Sequence, residues 1–96
     1  MKRATALKLL AQHKPELMRR FGVSGLALFG STARDAAQEG SDLDVLVTFD
    51  GPATSECYFG VQFYLEDVPG CAVDLVTDKA LRPELRPYVE REAVRV

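Results

Sequence analysis

Ninety-six residues, 47% hydrophobic and 27% charged, supply one small core and leave too little chain for a second module, so a single domain over 1–96 is expected. The balance excludes a disordered tail, a collagen-like repeat or a disulfide scaffold, and the apolar runs are too short to span a bilayer. Charges interrupt "MKRATALKLLAQHK" where a secretory signal needs an unbroken apolar stretch, so a cytoplasmic protein is expected.

The net charge of -2 conceals an asymmetry: residues 1–34 carry seven Lys/Arg and one Glu, residues 35–78 ten Asp/Glu and no Lys/Arg, and residues 79–96 five Lys/Arg and three Glu. A block of acids with no basic neighbour in sequence must face water, other elements or metal ions.

In chain order, "ATALKLLAQHKPELMRRFG" places Ala6, Leu9, Leu10 and His13 on a helical face, with Thr5 available as a cap. Pro15 fits the first turn of a second short helix, and Gly22 ends it. His13, alone among basic neighbours, is expected at the surface. "VSGLALFG" reads as a central strand ending at Gly30, and the Ala-rich "STARDAAQ" as a short helix starting at that strand's end. After the turn "EGSD", the stretch "SDLDVLVTFD" is a second strand with Leu43, Val45, Val47 and Phe49 on one face and Asp42, Asp44, Leu46, Thr48 and Asp50 on the other.

"GPATS" is a loop in which Thr54 or Ser55 caps the helix "ECYFGVQFYLEDV", whose Tyr58, Val61, Leu65 and Val68 share a face; Pro69-Gly70 closes it. "CAVDLVT" is a buried-type strand with Asp74 at its middle. "DKALRPELRPYVEREAVRV" reads as a turn and a helix capped by Asp78, interrupted near Pro83 and Pro87 and trailing into "AVRV". Cys57 and Cys71 lie in apolar surroundings without metal-binding or redox spacing and are expected as free, buried thiols. The order α-α-β-α-β-α-β-α implies an α/β or α+β sheet with helices packed on its apolar side.

The chemistry concentrates at three acids. Asp42 and Asp44, two apart on a strand, project to the same side, where like charges raise each other's pKa unless a cation lies between them. Oxygen-rich sites without histidine suit magnesium, which is held by one or two carboxylates, waters and substrate phosphates. Asp74 interrupts a strand of Val and Leu where an unpaired buried carboxylate is costly; if its strand neighbours the second one, the three carboxylates converge. Each alone is an ordinary solvated strand end, and together, with no base between positions 34 and 79, they favour metal. Gly30 lets backbone approach a ligand, and Ser31 with the following helix start offers N–H and hydroxyl donors to phosphate; the plainer role of that pair is a turn and a cap. Arg34 either neutralises phosphate or pairs with Asp35.

Gly30-Ser31, ten residues, then Asp42-Leu43-Asp44 resembles the GS-x10-DxD signature of minimal nucleotidyltransferases, the smallest members of the DNA polymerase β-like superfamily. "VDLVTDKALRPELRPYVEREAV" is similar to the family's third-carboxylate strand and closing helix. The resemblance implies a polymerase β-like fold, a small mixed sheet with helices packed on one face. It implies two magnesium ions held by Asp42, Asp44 and Asp74, with Asp44 as the bridge and Asp74 beside the acceptor. ATP is the implied substrate, its β and γ phosphates held at Gly30 and Ser31 so that attack at the α phosphate expels pyrophosphate.

Minimal nucleotidyltransferases of this type are similar to the antitoxin halves of HEPN/MNT toxin-antitoxin pairs. That likeness implies AMP transfer to a tyrosine of a cognate HEPN ribonuclease toxin, in a hetero-oligomer with it, without membrane or direct nucleic-acid contact. Two other readings stay open: an antitoxin that neutralises its toxin by binding alone, and nucleotidyl transfer to a small molecule.

Overall fold

Ala6, Leu10, His13 and Leu17 recur at the spacing of one helical stripe, and they do so on one continuous helix, α1 (Arg3–Phe21). The computed structural model describes residues 2–34, 42–68, 70 and 72–96. The expected break at Pro15 does not occur. Proline there removes an N–H and crowds the carbonyl four residues back, but Ala6, Leu10 and Leu17 are all fully buried, and a break would turn Leu17 out of the core. Thr5 does not cap the helix: Lys2 is its N-cap, with no side-chain hydrogen bond. Gly22 ends α1 in the left-handed region (φ 71°), its N–H donating to Met18 O at 3.1 Å. His13 lies on the buried stripe rather than at the surface. It is half-buried, with Nδ1 2.7 Å from the Tyr64 hydroxyl.

Strand β1 (Val23–Phe29) pairs antiparallel with β2 (Leu43–Phe49) through a bulge between Val23 and Gly25. The extra residue shifts the period-two phase, so Val23 as well as Leu26 and Leu28 joins the core while Ala27 faces the other side. Helix α2 (Gly30–Ala33) starts directly at the end of β1. The remainder of the helix expected over 31–38, and the turn after it, lie outside the described residues apart from Arg34 and Asp42.

In helix α3 (Ser55–Asp67) the Thr54 hydroxyl accepts from Cys57 N–H at 3.2 Å, a side-chain cap as expected. Val61 and Leu65 are buried, and the half-buried Tyr58 donates its hydroxyl to Leu75 O at 2.5 Å. Gly70 N–H donates to Glu66 O at 3.1 Å. Pro69 and Cys71 lie outside the described residues; Cys57 is free and half-buried. Strand β3 (Val73–Thr77) then pairs parallel with β2, a geometry that requires a crossover such as α3.

Turns over 78–80 and 83–85 lead to α4 (Arg86–Glu92), capped by Leu85 rather than Asp78. Asp78 instead accepts from Arg86 Nη1 at 3.0 Å. The terminal "AVRV" does not trail off: β4 (Val94–Arg95) pairs antiparallel with β1, and Val96 N–H donates to Leu26 O at 3.1 Å. Without it β1 would present a row of unpaired backbone groups.

The strand order β3-β2-β1-β4 gives the expected small mixed sheet. α1 and α3 bury its apolar face against Leu26, Leu28, Leu43, Val45, Val47, Val73 and Leu75. On the acid-bearing face a smaller cluster forms from Ala27, Leu46 and Leu81, with Phe29, Val76, Val89 and Ala93 packed against it. Among the described residues no helix is long and apolar enough to cross a membrane.

Two substitutions test the dominance of the α1 stripe in urea denaturation. Leu10→Ala should lower the unfolding free energy by about 2–5 kcal/mol. Pro15→Ala, which restores a missing helical hydrogen bond, should raise it by about 1–3 kcal/mol.

Candidate active site

Leu43, Val45 and Val47 anchor β2 in the core, so its period of two turns Asp44 to the opposite face. The parallel register sets Asp44 opposite Asp74, the second residue of β3. Asp42 stands exposed, one residue before β2 begins. On the other flank, Phe29 of β1 pairs with Asp44, so the chain leaving β1 passes directly over that carboxylate. The residue that does so is Gly30, at φ 74°, and a Cβ on it would overlap Asp44 Oδ2 and lie 2.8 Å from Asp44 Cγ. Glycine is required there twice, by its backbone conformation and by the space Asp44 occupies. α2 then buries Thr32 and Ala33 and leaves Ser31 half-buried and Arg34 exposed.

Asp44 is the acid whose titration its surroundings change. Burial pushes the Asp44 carboxyl above its ordinary pKa; the charges of Asp74 and Asp42 and a carboxyl-carboxyl hydrogen bond with Asp74 add to the rise, and the Arg34 guanidinium opposes it. Arg34 donates from Nη1 to Glu92 Oε1 at 2.8 Å. The partner considered from sequence, Asp35, lies outside the described residues. Sequence reasoning does not reach Glu92, because it is 58 residues from Arg34 and no periodic spacing connects an α2 residue to the last turn of α4.

A divalent cation suits this donor set. Carboxylates held side by side gain most from a cation between them, and every donor is a hard oxygen, the ligand type of magnesium. Among the described residues no group of three or more His, Cys, Asp or Glu side chains is gathered closely enough to enclose a metal ion. That is compatible with magnesium, whose coordination is usually completed by water and substrate phosphate. A broad groove lies elsewhere, between α1 and α3, lined by Arg20, Phe21, Phe63 and Tyr64. None of Asp42, Asp44 and Asp74 lines that groove.

Comparison with known proteins agrees with this geometry. The sequence profile of the nucleotidyltransferase domain family matches residues 10–96. The chain is 40% identical to Protein adenylyltransferase MntA of Thermococcus cleftensis over 88 residues, 92% of this chain and 89% of that protein. It superposes on a solved chain assigned as a minimal nucleotidyltransferase with a TM-score of 0.84 and 36% identity, covering 100% of this chain and 97% of the other. A chain from the complex of a tri-AMPylated Shewanella oneidensis HEPN toxin with its MNT antitoxin shares the fold, with a TM-score of 0.66 and 19% identity over 92% of this chain and 69% of that one. With the Gly-Ser turn folded over an Asp pair that two strands hold in register, the chain belongs to the nucleotidyltransferase domain family, among its minimal nucleotidyltransferases.

Proposed function

We propose that this nucleotidyltransferase moves AMP from ATP to a tyrosine hydroxyl of a cognate HEPN ribonuclease toxin in the cytoplasm and so acts as its antitoxin, as one hetero-oligomer with it. The observation that carries the reading is the Asp44–Asp74 pair beneath Gly30. The likeness to an archaeal protein adenylyltransferase supports a protein acceptor. The shared fold of the Shewanella oneidensis toxin-antitoxin complex supports a HEPN toxin as that protein.

Asp44 and Asp74, with Asp42 flanking them, would each lend carboxylate oxygens to two magnesium ions whose coordination water and phosphate complete; when bound, these ions polarise the phosphate and acceptor oxygens and offset the charge of the departing pyrophosphate. Ser31 and the Gly30 backbone hold the β and γ phosphates, and Arg34 neutralises part of their charge. The acceptor oxygen forms a bond to the α phosphorus as the bond from that phosphorus to the bridging oxygen breaks. Asp74, the exposed member of the pair, takes the hydroxyl proton. Catalysis is mainly positioning and charge compensation on a rigid sheet.

The direct test incubates the protein with α-labelled ATP, magnesium and the product of the adjacent reading frame. The expected result is label on a tyrosine of that partner, reduced at least about 100-fold by Asp44→Asn, the scale of a lost electrostatic contact. Label that persists after both Asp42 and Asp44 are replaced would sink the assignment.

The same variant separates lost chemistry from lost folding. A carboxyl whose pKa is raised by folding contributes stability that is fully present below its unfolded value, about 3.9, and is lost as pH rises through the folded value. Asp44 is such a group. Without metal, Asp44→Asn should therefore melt at a higher temperature than the wild type near neutral pH, and the gap should close as the pH falls below the unfolded value. Magnesium should raise the wild-type melting temperature more than that of Asp44→Asn.

A further inference from the structure

We propose that Glu92 is a positioning residue that holds the Arg34 guanidinium in place for the triphosphate of the nucleotide; the inference rests on the nucleotide reading above. Arg34 is a long side chain, 53% exposed, and its Nη1 is fixed at 2.8 Å by Glu92 Oε1. An exposed ion pair adds little to stability, so its significance lies in what it orients. Among the described residues Glu92 engages one guanidinium nitrogen, and a guanidinium has five N–H donors in all, enough to serve phosphate oxygens as well.

Glu92 stands on a rigid mount. It is the last residue of α4, two before Val94, which pairs with Leu28 of β1. Gly30 is two residues after Leu28, so the anchor and the phosphate turn hang from the same strand. Val89 and Ala93 pack α4 against Ala27 and Leu46.

The need for an anchor follows from the neighbouring charges. The Arg34 cation is felt at Asp44, beside Asp74 and Asp42, and a free guanidinium would be drawn into those carboxylates, where it would compete with a cation. Glu92 offers a competing carboxylate from α4, and the 2.8 Å contact ties the guanidinium to it. Holding it there in advance also lowers the entropy cost of ordering a flexible side chain when the nucleotide arrives.

A double-mutant cycle read by calorimetric binding of a non-hydrolysable ATP analogue with magnesium tests this without any acceptor. Arg34→Ala should weaken binding about 10-fold and Glu92→Ala about 3- to 10-fold, with the double variant no weaker than Arg34→Ala alone. Glu92→Gln, which keeps an acceptor oxygen without the charge, should fall between wild type and Glu92→Ala. The exchanged pair Arg34→Glu with Glu92→Arg should keep the wild-type melting temperature and still fail to restore affinity. Unchanged affinity in Glu92→Ala, a further loss on adding it to Arg34→Ala, or full recovery in the exchanged pair overturns the positioning role and leaves the nucleotide reading standing. A wild type that binds no analogue overturns that reading and this inference with it.

Discussion

The parallel pairing of β2 with β3 places Asp44 beside Asp74, and two carboxylates directly across a ladder repel. The pairing holds because the residues on the opposite face cannot be moved. Leu43, Val45, Val47, Val73 and Leu75 are all buried, and a one-residue slip of either strand would send its acid into the core and its apolar set into water. Each fully buried side chain of this kind contributes about 1.5–3 kcal/mol, so the core can hold a repulsive pair in register. The electrostatic tension at the site is thus sustained by hydrophobic burial on the other side of the same sheet.

The rest of the site is arranged around that pair by β1. Its antiparallel register with β2 carries Gly30 over Asp44, and its pairing with β4 brings the end of α4 next to α2. One strand therefore fixes both the Gly30 turn and the carboxylate that holds Arg34. The small cluster around Leu46 and Leu81 does for this face what the main core does for the other. It seats α4 without covering Asp42 or Asp74, both of which remain exposed.

Much of this was legible in the sequence, and the misses have physical causes. The period of two in "DLDVLV" is a local property, so the facing of Asp44 and Leu43 could be derived from the chain. The pairing of β3 with β2 could only be posed as a condition, because strand adjacency depends on packing across thirty residues. At Pro15 the local backbone rule is outweighed by burial of Leu17. His13 departs from its expected surface position because its spacing from Ala6, Leu10 and Leu17 puts it on the buried stripe. Glu92 and β4 were out of reach for a different reason. A two-residue strand carries no periodic signal, and an ion pair between residues 34 and 92 leaves no trace in either neighbourhood.

The Tyr58 hydroxyl occupies a backbone acceptor at the edge of the sheet. Ala72 O and Asp78 N bond to β2, so in a strand's alternation the Leu75 carbonyl faces away from it. Leu75 is the central residue of β3, the outermost strand beside the acids, and its carbonyl is already taken by Tyr58. A foreign strand seeking to extend the sheet at this edge would have to break that bond first. The edge of the sheet nearest the acids is thus latched by a side chain from the helix that crosses over to it.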